Sequence, residues 1–315
     1  MPKVRLEQET EIQLSTFQKL HLIGLRLLQT FYRPRRLLGL ALVIIAIVFA
    51  PRIVKLLPDL QQQPQYRIQA NHVVLQPAQP NWIPDDLVKQ VFQQKSLPGE
   101  MSLLDPDLTK TMAFAFAEHP WIEQVKGVVK QAGQKVRVHV EYRQPVALAE
   151  MRSGYYPLDR FATILPPQDF TADVVNKYPR IRNIQSVPNG PAGTRWDDVS
   201  IQGAAQLCHA LLPHWQTFEF DAIVLPNLQS AQLTTDDLIY QIRTRSGSLI
   251  IWGRSPQSDH PGELTVNQKV GRLEKYLSDF GTFGKPDGPY EIDIRHWQEI
   301  SRRPLTARQR LHPFK

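Results

Sequence analysis

The sequence predicts an α+β protein with one N-terminal transmembrane helix, a β-α-α-β-β module and a strand-rich second module with a few helices. Three observations predict it. A long apolar run at 37–57 follows a cluster of arginines. Between residues 66 and 145, strand and helix periodicities succeed one another in the order named. From 146 to 300, short strand patterns dominate and two helical ones interrupt them.

Residues 1–36 form the predicted cytoplasmic segment. Within it, Ile12, Phe17, Leu20, Ile23, Leu27 and Leu28 recur near helical spacing. That fits an amphipathic helix at the inner membrane surface, and equally an ordinary short helix or a tail. The transmembrane helix is expected over 37–57. Its first fourteen residues, LLGLALVIIAIVFA, carry no charge, and the run continues through Pro51, Arg52 and Lys55 to Leu57. At about 1.5 Å per residue, the whole stretch matches the roughly 30 Å hydrocarbon core. Arg52 and Lys55 would snorkel at the outer end, and Pro51 would kink or end the helix. Arg33, Arg35 and Arg36 precede the run, so the N-terminus is expected in the cytoplasm and residues 58–315 outside it. The competing reading is a cleaved signal peptide ending at Val48-Phe49-Ala50. The long segment before the run, and Pro51 just after that site, count against it.

Residues 58–65, PDLQQQPQ, read as a linker. The first module, 66–145, opens with a strand pattern from Ile68 to Leu75. A helix follows from Pro84, with Leu87, Val88, Val91 and Phe92 on its apolar face. A second helix after Asp105-Pro106 turns Leu108, Met112, Ala115 and Phe116 inward. Strands Ile122–Lys130 and Lys135–Tyr142 flank a turn at Ala132-Gly133-Gln134. The second module, 146–300, has strand patterns at Ala147–Met151, Tyr155–Leu158, Thr163–Leu165, Ala222–Val224, Ile239–Thr244, Leu249–Trp252 and Tyr290–Arg295. Helical patterns cover Trp196–Leu212 and Val266–Phe280. Residues 166–195 are Pro-rich and read as a long loop, and 301–315 as a solvated basic tail.

Charge narrows the function classes. The net charge is +7, but residues 1–57 alone, with nine Lys/Arg and three Glu, hold +6 of it. The remainder has no basic excess for phosphate, so no nucleic-acid partner is expected. A membrane-topology signal accounts for the distribution. The single cysteine, Cys208, cannot form an intramolecular disulfide and reads as a small buried side chain. No catalytic, cofactor or metal constellation rises above background. The nine histidines are scattered, and His209 and His214 do not share a helix face. Cys208-His209 is merely adjacent. The Asp pairs at 85–86, 197–198 and 236–237 precede apolar runs and read as helix caps or turns. Trp121 reads as a core aromatic before a binding anchor.

Several short stretches, in this order, resemble the FtsQ/DivIB family of bacterial cell-division proteins. Glu141-Tyr142-Arg143-Gln144-Pro145-Val146-Ala147 is similar to the family's Glu-Arg-x-Pro-Val-Ala, offset by one residue because Tyr142 precedes Arg143. His119-Pro120-Trp121-Ile122-Glu123-Gln124-Val125 resembles its Pro-Trp-Val. Tyr155-Tyr156-Pro157-Leu158-Asp159 resembles its apolar-Asp strand end. Gly253 after Ile-Ile-Trp, Arg272-Leu273 opening a helix, and Ile292-Asp293-Ile294-Arg295 resemble its C-terminal pattern. The likeness covers about 37–300. It departs at the Pro-rich stretch 166–195 and over residues 1–30.

The resemblance implies that the first module is a POTRA-like domain. It also implies a non-enzymatic bitopic scaffold of the cell-division complex at the division site of the plasma (inner) membrane. The implied partners are small bitopic coiled-coil proteins similar to FtsB and FtsL, bound by strand addition to a sheet edge. The matching partner-binding residues are Tyr290, Ile292 and Ile294 in the last predicted strand, with His296, Trp297 and Gln298 just beyond it. That strand is expected at the sheet edge, with Trp297 as the aromatic anchor. Two other classes compete: a membrane-tethered POTRA protein of envelope transport or assembly, and an anchored cell-wall enzyme. The first would need a β-barrel pattern, the second convergent polar residues in a pocket.

Overall fold

The structure, a computed structural model, describes residues 34–56, 63–94, 97–171, 175–227 and 235–305. The chain divides into two compact units, 1–60 and 61–315. The predicted amphipathic segment at 11–29 and the tail beyond 305 lie outside the described residues, as does most of the 58–65 linker.

The first unit contributes one helix, α1 (Pro34–Leu56). It continues through Pro51 instead of ending there, and every described side chain from Leu38 to Ala50 is exposed. Here the sequence expectation is corrected. Among the described residues, no helix is long and apolar enough to cross a membrane. The physical reason lies in the length of the uncharged stretch. Fourteen residues, 37–50, make a helix of about 21 Å, against roughly 30 Å of hydrocarbon. The predicted span at 37–57 reached that thickness only by counting Arg52 and Lys55.

The second unit is α+β and begins with the module of two helices on a sheet. Its elements are β1 (Arg67–Ile68), β2 (Val73–Gln76), α2 (Leu87–Gln94), β3 (Met101–Ser102), α3 (Leu108–Ala117), β4 (Ile122–Gln131) and β5 (Lys135–Tyr142). The sheet order is β2-β5-β4. β2 runs parallel to β5, and β4 forms an antiparallel hairpin with it. The hairpin closes through Gly133 and Gln134, both at positive φ. The single strand expected at 68–75 is two, because Ala70–His72 forms a 3-10 turn between β1 and β2. Alternation on β5 buries Val136, Val138 and Val140, and helical spacing on α3 buries Leu108, Met112, Ala115 and Phe116. Trp121 is wholly buried in the same core, as a packing residue.

An eight-stranded sheet follows, in the order β13-β12-β11-β10-β9-β8-β6-β7. The strands are β6 (Ala147–Met151), β7 (Gly154–Leu158), β8 (Arg180–Arg182), β9 (Phe220–Val224), β10 (Tyr240–Thr244), β11 (Leu249–Gly253), β12 (Tyr290–Asp293) and β13 (Ser301–Pro304). Helix α4 (Val199–Leu211) connects the parallel strands β8 and β9, and α5 (Val266–Phe280) connects the parallel pair β11 and β12. Arg272 therefore lies midway along α5 instead of opening it. Register places Ala149, Ile181, Ile223, Ile242, Ile250 and Ile292 side by side across six strands. All six are fully buried and share one core with Ile201, Ala204 and Leu207 of α4 and Leu273 of α5. Each such isoleucine contributes roughly 1.5–3 kcal/mol by burial.

Two further expectations change. The Pro-rich stretch 166–195 contains β8, an interior strand of the large sheet, besides its loops. The stretch read as a solvated tail starts with β13.

Candidate functional site

The predicted partner-binding residues divide into two groups. Tyr290 and Ile292 lie on β12, with Ile294 just after it, and all three are buried in the core of the second module. They are not at an edge. β12 is paired on both sides, parallel to β11 and antiparallel to β13, so its backbone has no open side. The reason is that the chain continues past it and turns back as β13. His296, Trp297 and Gln298 sit in that turn and are exposed.

The edge itself is Ser301–Pro304. Among the described residues, β13 pairs only with β12, in the register Tyr290↔Pro304, Glu291↔Arg303, Ile292↔Arg302 and Asp293↔Ser301. Leu305 donates its N–H to the Pro289 carbonyl at 3.0 Å. In an antiparallel ladder, residues alternate between bonding their partner and facing away. Counting back from Leu305, Arg303 and Ser301 bond inward, and Arg302 and Pro304 face outward. Pro304 is thus where its missing N–H costs the ladder nothing. Among the described residues, no strand pairs with the outward backbone N–H and C=O of Arg302.

Side chains from α5 and β12 hold this edge in place. The Arg302 guanidinium lies 4.1 Å from the Phe280 ring centroid and 5.0 Å from that of Tyr290. Arg303 pairs with Glu291 at 2.5 Å. Arg272 Nη1 donates to the Trp297 carbonyl at 3.2 Å, and its Nη2 donates to the Glu299 carbonyl. A groove of about 290 Å³ runs between α5 and this segment, lined among others by Lys275, Phe280, Gln298 and Ile300. Trp297 is 63% exposed, and its indole is tethered by the hydrogen bond from Nε1 to the Gly262 carbonyl at 3.2 Å.

Just inside the turn, Asp293 accepts the Arg295 backbone N–H at 3.0 Å and its guanidinium at 2.7 Å. Burial pushes the Asp293 carboxyl up. The hydrogen bonds and charge of Arg295 outweigh that, and the carboxyl ends below its ordinary range. Lys269, almost fully buried, sits 4.7 Å over the Trp252 ring and donates to Glu263, which also bonds Arg254. Burial opposes the charge on Glu263, but Lys269 and Arg254 hold its carboxyl below the usual range. These pairs fix the geometry of the strand end from which the turn departs.

The other singled-out residues have structural places. Cys208 is buried and burial pushes its thiol up, whereas the adjacent His209 is exposed. The two therefore point to different environments. Asp198 caps α4 by accepting the Ser200 and Ile201 backbone N–H groups. Sequence reasoning missed β13 and Arg302, and gave Arg272 no part in the site. The available signal was Pro304 beside two arginines, the composition of a guarded edge strand.

No protein-family model matches the chain, and no curated protein matches it.

Proposed function

We propose that this protein is a non-enzymatic scaffold of the bacterial cell-division complex, of the FtsQ/DivIB type. In this reading it works at the outer face of the plasma membrane, at the division site. The exposed apolar side chains of α1 provide the membrane-attaching surface. Its partners are small bitopic coiled-coil division proteins similar to FtsB and FtsL. The observation that carries the reading is the open outer side of β13, beside an exposed tryptophan. A strand laid along this edge gains backbone hydrogen bonds, and Trp297 offers an apolar anchor close by. Arg302, Arg303 and Pro304 discourage indiscriminate pairing, which suits an edge kept for one partner. Motif order from Trp121 to Arg295 supports the family assignment.

The test is binding of the purified full chain to the extracytoplasmic fragment of the cell's FtsB-like protein. Removing residues 301–315 should abolish binding while the β-α-α-β-β module keeps its fold. Undiminished affinity after the removal would contradict the proposal.

A further inference from the structure

The edge strand is held by its ladder to β12, by Arg302 over Phe280 and Tyr290 and by the Arg303–Glu291 pair, and its entry turn has less to hold it. β13 is four residues long, and all four side chains are exposed. Its entry turn, 296–299, is exposed throughout. A short exposed strand of this kind frays unless something fixes its approach. Among the described residues, carbonyls in the turn accept from a single side chain on another element. Arg272, midway along α5, reaches across and bonds the carbonyls of Trp297 and Glu299 through its two terminal nitrogens. Its Nε is buried and has no partner among the described residues. The guanidinium is thus committed to the turn. Its planar fork matches two carbonyls two residues apart, a geometry that a lysine ammonium does not reproduce.

We propose that Arg272 is the positioning residue of the docking edge: it sets the turn that delivers Ser301–Pro304 in register beside β12 and aims Trp297. It makes no contact with the partner in this scheme. The proposal rests on the docking reading above and assigns the preorganisation of the entry turn of that site to one side chain. Preorganisation matters because a partner strand otherwise bears the cost of ordering the edge.

The experiment uses the full chain with Arg272→Met, which keeps the aliphatic stem and removes the donors, and Arg272→Lys, which restores one charge and part of the bonding. Hydrogen exchange is followed at the Ser301 and Arg303 amides without any partner. Arg272→Met should speed exchange there about tenfold or more, leave the β10 and β11 amides unchanged, and weaken binding of the FtsB-like fragment by a similar factor. Arg272→Lys should fall between. Unchanged exchange at Ser301 and Arg303 in Arg272→Met overturns the positioning role, as does faster exchange with undiminished affinity. If the unaltered chain does not bind the fragment at all, the docking reading fails, and the exchange data still report separately on what Arg272 holds.

Discussion

Trp297 belongs to its own fold and, in the proposed docking, also serves a partner. Its ring is mostly in solvent, and among the described residues its indole is tied by the hydrogen bond from Nε1 to the Gly262 carbonyl. A net hydrogen bond contributes about 0.5–1.5 kcal/mol, whereas truncating an interface anchor costs about 2 kcal/mol or more. Trp297→Ala should therefore weaken partner binding by roughly 1–3 kcal/mol and lower the melting temperature of the chain only slightly. Calorimetry on the free chain and titration with the FtsB-like fragment measure the two quantities. A large loss of stability with binding unchanged would assign Trp297 to its own domain. At this scale the sequence was most legible where one local rule decides a role. Asp198 before an apolar helical run is a cap because its carboxylate reaches the N–H groups two and three residues on. Met112 and Phe116, four apart on α3, are core because helical geometry stacks them on one face. The exposure of Trp297 had no such local signature, since it depends on where the turn lies against α5.

Elements were legible in proportion to their periodicity. β5 alternates cleanly and α5 has a capping box, the Thr265 and Gln268 side chains each accepting the other's backbone N–H, so both stand where their patterns placed them. β8 has three residues, Arg-Ile-Arg, inside a Pro-rich stretch, too short for any period to register. β13, Ser-Arg-Arg-Pro, holds no residue that favours a strand, so its guarded-edge composition reads equally as a tail. It is a strand because β12 presents an unpaired side and because Arg302 packs between Phe280 and Tyr290. Strand order is a tertiary property. The expectation that Tyr290–Arg295 forms the edge treated the last recognisable strand as the last strand. Helix α1 shows the converse. Its apolar character was plain, but its uncharged length falls short of a bilayer's thickness.

Across unit 61–315, the first module and the large sheet are stitched together at one seam. Arg143, leaving β5, pairs with Asp159 at 2.7 Å, and Asp159 is 1% exposed. The same carboxylate accepts the Phe161 and Thr163 backbone N–H groups. Leu165, beyond β7, is buried in the first module's core, where Phe170 stacks on Trp121 at 5.9 Å. The proposed docking edge on one module is thereby held at a fixed orientation to the other. Removing one partner of a buried pair leaves an uncompensated charge, typically costing about 3–5 kcal/mol. Asp159→Ala should destabilise the chain by about that amount, and the two modules should then melt in separate steps, visible by calorimetry. A single transition at the original temperature would show that the seam does not couple them. The motif residues Arg143 and Asp159 were legible in sequence, but their pairing was not, because sixteen residues and a hairpin bring them together.

The outer side of β13 is the surface proposed to receive a partner strand. Hydrogen exchange of the full chain, with and without the FtsB-like fragment, tests it at single amides. The Arg302 amide faces outward and should exchange rapidly in the free chain, since nothing in the ladder protects it. On binding it should become strongly protected, with the inward amides of Ser301 and Arg303 protected in both states. If the fragment binds but leaves the Arg302 amide fast, or protects the free edge of β4 instead, the claim is wrong.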